Sequence, residues 1–215
     1  MATKYPADAP VFPTQKPAVI VPHPSELKPL YTERLVIRPL RIDNDEDAAG
    51  MFELRKRQDV VEWMWPFIAD ADISATKAWM RGKIFATPDG AGSVATRHFS
   101  FSILRRDDPD ERILGAVALN SLDPAPSVGY FLHPDAWGKG YATEAVRALV
   151  DAWWGLPRAW DFGDEKVFGG VVCANVGSLR VLEKVGFEVY RYVEYGGKLA
   201  FMSMGRRGHS PEESS

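Results

Sequence analysis

Residues 127–150, SVGYFLHPDAWGKGYATEAVRALV, admit few local structures. Ser127 to Leu132 is short and β-rich, and it stops at His133-Pro134, where the proline has no N–H for a sheet ladder. Gly138 and Gly140 follow, two apart, in Trp137-Gly138-Lys139-Gly140-Tyr141-Ala142. From Ala142 the apolar positions Ala142, Ala145, Val146, Leu149, Val150 and Trp153 recur at helical spacing. The segment reads as a strand, a tight glycine turn and an amphipathic helix. A helix N-terminus presents four backbone N–H groups without intrahelical partners, and the macrodipole adds partial positive charge there. Glycines let a phosphate come within hydrogen-bond distance of that backbone, and Lys139 adds a cation. The guest such an arrangement suits is a diphosphate. The spacing fits neither a Walker loop nor a dinucleotide fingerprint, whose third glycine is replaced by Thr143.

Three blocks in order carry a resemblance to the GNAT acetyltransferase superfamily, and within it to the RimJ/RimL-like branch. Trp137 to Ala142 resembles the acetyl-CoA motif Gln/Arg-x-x-Gly-x-Gly/Ala, with Trp137 replacing the first residue. Asn175-Val176-Gly177-Ser178 through Leu182-Glu183-Lys184-Val185-Gly186-Phe187 resembles the Asn-x-x-Ser…Leu-Glu-Lys-x-Gly-Phe segment. Thr32 to Leu40, TERLVIRPL, resembles the opening strand. The likeness spans about residues 31–205. It implies an α/β (α+β) GNAT fold, with a mixed, mostly antiparallel central sheet of about six to seven strands flanked by helices. It also implies a splayed strand pair, Val128–Leu132 and Val167–Cys173, forming the acetyl-CoA cleft.

The rest of the chain is consistent with one such domain. A length of 215 residues suffices for a sizeable core. A formal net charge of −3 argues against nonspecific binding to nucleic acid or an anionic membrane. One cysteine, Cys173, excludes an internal disulfide and suits a reducing, cytoplasmic compartment. No apolar run approaches the ~20 residues of a membrane span, and the N-terminus lacks a secretory pattern. Seven prolines among residues 1–29 forbid regular helix or central strand, so an extended or disordered arm is expected there. The acetyltransferase domain is expected over 30–205 and a disordered tail over 206–215. Within the domain, Asp43-Asn44-Asp45 caps a first helix around Ala48 to Arg55. Ser74 caps a second one running to Ala86. Strands are expected over 98–104, 112–122, 127–132 and 166–173, the last buried on both faces. Gly115 marks a bulge or a close approach. A closing hairpin turns at Gly196-Gly197.

The resemblance assigns roles to particular residues. Backbone N–H groups of Phe131 or Leu132 would polarise the thioester carbonyl. The amides of Gly138 to Ala142, with Trp137, Lys139, Tyr141 and Thr143 around them, would hold the pyrophosphate. Asn175 would bond pantetheine or cap its helix, and Ser178 would hydrogen-bond the thiol sulfur, because Leu182 stands where many relatives have a tyrosine. Glu194 is the first choice for the base that takes the acceptor's proton, with His133 and Asp135 as alternatives. Trp63, Trp65, Phe67 and Trp79 are candidates for an acceptor pocket, and Cys173 is expected to be an inert buried thiol. The expected reaction moves acetyl from acetyl-CoA to a primary amine, a protein N-terminus or a small molecule, without a metal. Many relatives pair through terminal strands, which makes a homodimer an expectation of the resemblance. Two other readings stay open on the residues: a noncatalytic CoA-binding or interaction module, and a nucleotide-binding α/β domain.

Overall fold

Among the described residues, eight strands form two antiparallel sheets joined by one bridge and flanked by five α-helices. The computed structural model describes residues 12–94, 96–161, 163–194 and 198–205. The larger sheet has the order β1 (Leu30–Tyr31), β2 (Leu35–Pro39), β3 (Phe99–Arg105), β4 (Gly115–Leu119) and β5 (Val128–Leu132). The smaller has the order β6 (Lys166–Val172), β8 (Lys198–Gly205), β7 (Glu188–Glu194). Together they make the expected GNAT architecture.

Alternation divides the larger sheet into two faces. Phe99, Leu119 and Val128 lie in one cross-strand row, and Phe101, Val117 and Tyr130 in the next, two residues along. That face packs against α4 (Tyr141–Trp154) through Val146, Leu149 and Trp153, all fully buried, and against α5 (Val176–Val185) through Leu182. Ser102, Ala116 and Phe131 point the other way. Ala116 and Phe131 meet Met51 and Leu54 of α1 (Asp45–Arg55) and Met80 of α3 (Ile73–Arg81). A four-residue helix, α2 (Gln58–Val61), lies between α1 and α3 in sequence.

Local rules account for the helix ends. Asn44 caps α1 by accepting from the Asp47 N–H at 2.9 Å. Asp47 is wholly buried beneath the guanidinium groups of Arg38 and Arg41, which offset its desolvation and hold its carboxyl below the usual range. α3 is capped by Asp72, not Ser74: Asp72 accepts from the Ala75 N–H at 3.0 Å, and the helix stops at Arg81. α5 ends at Gly186 with φ of 115°, the left-handed geometry glycine adopts without strain.

Gly115 is a close approach in an unbroken register. A Cβ there would lie 2.1 Å from the Phe131 carbonyl oxygen. Expected burial of 166–173 on both faces does not hold throughout, since Gly170 is exposed and Cys173, one residue past β6, is half-buried. Trp153 and Trp154 pack in the core, whereas Trp160 sits under the Lys16 ammonium, 4.7 Å from its ring centroid.

The described part of the proline-rich segment, from residue 12, packs closely on the domain. Gln15 clamps the Lys166 backbone with bonds of 2.7 and 2.8 Å, and Val19 and Val21 are 1 % exposed. Residues 1–11, 195–197, where a hairpin turn is expected, and 206–215, the expected tail, lie outside the described residues.

Candidate active site

β5 and β6 run parallel and are bridged where Ser127 faces Phe168; there the Phe168 N–H donates to the Pro126 carbonyl at 2.9 Å. Beyond that bridge they pair no further among the described residues, and they part toward Leu132 and Val172. The gap is a cleft of about 960 Å³, walled by both strands, the starts of α4 and α5, and the loop and helix at 63–83. That volume suits a coenzyme-sized guest.

The edge of β5 supplies donors to this cleft. His133 N–H donates to Leu114 O at 2.7 Å and Asn120 N–H to Ser127 O at 2.8 Å. Residues 127, 129, 131 and 133 therefore turn their backbone polar groups toward β4, and Val128, Tyr130 and Leu132 turn theirs outward. Of the two expected thioester donors, the Phe131 N–H is consumed in the ladder and the Leu132 N–H faces the gap. Trp137 has a part in this. Its indole N–H donates to the outward Leu132 carbonyl at 2.8 Å and ties the glycine turn to the strand edge.

The glycine turn itself has the geometry an anion seat needs. Gly138 and Gly140 have φ of 72° and 81°, and Gly140 is the N-cap of α4 without any side-chain cap. The first N–H in α4 to bond back is that of Glu144, to Gly140 O at 3.1 Å. The N–H groups of Tyr141, Ala142 and Thr143 precede any intrahelical acceptor. A clamp fixes the turn from below. Arg34 donates to Glu144 through Nε at 2.8 Å and Nη2 at 2.6 Å, and to the Lys139 carbonyl at 2.9 Å. Thr32 also bonds Glu144. Gly138, Gly140, Tyr141, Ala142 and Thr143 line the cleft, while the Lys139 side chain is exposed and does not.

At the start of α5, Asn175 accepts from the Ser178 N–H at 3.0 Å and caps the helix. The Ser178 hydroxyl lies 2.7 Å from the Tyr130 phenol, which also reaches the Ser178 carbonyl at 3.1 Å. Burial pushes the Tyr130 pKa up to about 12, against the Ser178 hydrogen bond, so the phenol stays protonated. Both residues line the cleft. Tyr130 escaped sequence reasoning; strand alternation sets it on the α4/α5 face, and a polar-tipped aromatic in a short apolar strand is the signal that could have found it.

The acceptor-side aromatics divide. Trp63, Trp65 and Trp79 line the cleft, whereas Phe67 backs Trp65 edge-on at 5.9 Å. Trp79 is set by Phe131 at 5.7 Å, by Arg55 at 4.3 Å from its ring centroid and by Lys83 at 4.6 Å. Glu194 ends β7 exposed to solvent, opposite Lys198, and is not among the lining residues. His133 and Asp135 also lie outside the cleft. His133 lines a separate hollow, and its pKa is lowered by burial and then by Arg112. Cys173 is likewise not a lining residue.

Comparison with known proteins agrees with this geometry. Residues 34–188 match the domain family described as acetyltransferase (GNAT) domain. A protein named "Probable N-acetyltransferase YjcK" from Bacillus subtilis is 40% identical over 163 residues, covering 74% of this chain and 82% of its own. A GNAT-family structure from Chromobacterium violaceum superposes with a TM-score of 0.64 at 18% identity, covering 94% of this chain and 97% of the other. RimL, a ribosomal-protein alpha-N-acetyltransferase solved with coenzyme A, gives a TM-score of 0.61 at 14% identity, covering 83% and 98%. With strands, cleft and glycine turn laid out in this order and the family match spanning most of its length, the chain belongs to the GNAT acetyltransferase family and is an acyltransferase.

Proposed function

We propose that the protein is an acetyl-CoA-dependent N-acetyltransferase acting on a primary amine by direct attack in a ternary complex. The observation that carries this is the opening of two donor sets onto one cleft: the outward N–H of Leu132 and the unbonded N–H groups of Tyr141, Ala142 and Thr143. Acetyl-CoA supplies the activated acetyl group. The amides from Gly138 to Thr143 hold its diphosphate, Asn175 and the β6 edge face its pantetheine arm, and Leu132 N–H polarises the carbonyl under attack. The cleft holds both substrates in one place, which is a large part of the acceleration.

Ser178 and Tyr130 act on the departing sulfur. When the phenol donates to Ser178 Oγ, the serine proton is free to point at the sulfur. Burial holds the phenol well above an ordinary thiol, so full transfer of its proton to the departing thiolate is uphill. The pair therefore stabilises the leaving charge by hydrogen bonding. This phenol, from a strand, offsets the absence of a tyrosine at Leu182.

The acceptor must lose a proton before it attacks. Among the described residues no carboxylate lines the cleft, so water in the cleft takes that proton and Glu194 serves as its destination outside. Trp63, Trp65 and Trp79 form the acceptor wall. Kinship with the RimJ/RimL-like branch rests on the Asn175–Ser178 segment.

The test is thiol release from acetyl-CoA with a panel of primary amines. Turnover with at least one amine is expected, with only a small fall in Glu194→Gln, since that carboxylate receives the proton outside the cleft. Coenzyme binding without turnover of any amine would favour the noncatalytic module.

A further inference from the structure

The acceptor half of the cleft contains a cation that the chain itself leaves unneutralised. Lys83 follows α3 and reaches the cleft floor, where Nζ donates to Asn120 Oδ1 at 2.7 Å and lies over Trp79. No carboxylate lies within ion-pair distance of it among the described residues, whereas neighbouring Arg55 is fully engaged by Asp70 at 2.7 and 2.8 Å. Lys83 keeps some accessible surface, yet its ammonium is deep enough for desolvation, and then Arg55, to bring its pKa down to about 8. At neutral pH it is mainly charged.

The surroundings are built to hold it. Gly129 stands beside Asn120, and a Cβ there would fall 2.4 Å from the Asn120 amide nitrogen. Ser100, in the same cross-strand row as Ala118 and Gly129, presents a 2 % exposed hydroxyl with no partner, and it lines the same cleft. An unpartnered buried hydroxyl and an uncompensated ammonium lining one cleft make an incomplete anion site.

We infer that Lys83, with Asn120 and Ser100, binds a carboxylate carried by the amine acceptor, so that the enzyme selects amino-carboxylates and rejects polycations. This rests on the acetyltransferase reading above. The charged residues lining the cleft are Lys83, Arg180 and Lys184, with no acid among the described residues. A polyamine would find repulsion and no complementary charge. The ammonium is already partly desolvated, so a carboxylate gains more from it than from a surface lysine. Three residue steps along β5 lead from Gly129 to Leu132, or roughly 10 Å along the strand. The acceptor's amine and carboxylate are therefore several ångströms apart, with an apolar spacer against Trp79.

The experiment uses matched acceptors: γ-aminobutyrate, 5-aminopentanoate and 6-aminohexanoate, each against its own amide, with spermidine as the polycation. Thiol release gives kcat/KM for each. The wild type is expected to favour at least one carboxylate over its amide by about 10-fold or more. In Lys83→Met that ratio should fall toward one, and Lys83→Arg should restore part of it. Calorimetric uptake of coenzyme A by each variant reports folding. Failure of all proteins to take up coenzyme A would defeat the acetyltransferase reading itself. Coenzyme uptake with preference for amides or spermidine, or with an unchanged ratio in Lys83→Met, overturns the carboxylate proposal alone, as does turnover of other primary amines but none of these acceptors; uptake with no amine turned over counts against the acetyltransferase reading as well.

Discussion

Replacing Lys83 with methionine should change how stability depends on pH. An ordinary lysine amine titrates at 10.5, and burial brings this one to about 8. At 1.36 kcal/mol per pH unit the charged form costs the fold at most roughly 3 kcal/mol. The side chain is half-buried, so water screens part of that, and about 1–2 kcal/mol is the expected size. The sign follows from proton binding. Between pH ~8 and ~10.5 the unfolded chain still holds the proton that the folded chain has lost, so stability rises with pH. Below that window the penalty is constant, and above it the penalty is gone. Lys83→Met lacks the step, and the titration of other groups cancels in the difference between the proteins. Losing the bond to Asn120 moves the whole difference by about 1 kcal/mol but not its slope. Urea unfolding of both proteins at pH 7, 8, 9, 10 and 10.5, compared at equal m-values, reads it. A difference that stays flat within roughly 0.3 kcal/mol would mean that Lys83 is solvated like a surface lysine, and the anion site would lose its basis.

Three further outcomes follow from single positions. Gly115→Ala pushes a methyl to 2.1 Å from the Phe131 carbonyl, a backbone group that cannot swing aside, so a loss of at least about 3 kcal/mol and a melting point lower by roughly 6–12 °C are expected in a calorimetric scan. Gly140→Ala places an L-residue at φ of 81° with only Arg34 nearby, at 3.4 Å; the free turn relaxes away from that geometry, and the about 1–2 kcal/mol needed to restore it on binding should appear as roughly 10-fold weaker coenzyme A binding by calorimetry. Tyr130→Phe leaves the packing but removes the hydroxyl from Ser178. Steady-state kinetics should show kcat lower by about 10-fold with the KM for acetyl-CoA held.

The cleft half that binds coenzyme was legible in the sequence because its grip is made by backbone. Gly138 and Gly140 announce their positive φ by being glycine, and helical periodicity after Ala142 locates the N-terminus that needs a partner. Asn175 declares its cap by type and spacing. The acceptor half depends on side chains brought together from distant segments, and little of it could be read. Lys83 looks like a solvated cation at a helix end until Asn120, 37 residues later, reaches it across the space that Gly129 leaves. Glu194 was chosen by local resemblance, yet the strand ends with it in solvent. The cap of α3 slipped from Ser74 to Asp72 because both residue types cap well and only tertiary docking selects between them. In the proline-rich arm the apolar run Val19-Ile20-Val21 signals a part able to pack on the domain, and Val19 and Val21 do so; the Gln15 clamp on Lys166, 151 residues away, has no local signal.

The direct test is a calorimetric titration of the full chain with coenzyme A. A single saturable site with an affinity in the range of ~1 µM to 1 mM, weakened in Gly140→Ala, is the predicted result. No heat of binding at millimolar coenzyme A, or an affinity indifferent to Gly140, would contradict the claim that the α4 N-terminus and the free edge of β5 together form the coenzyme seat.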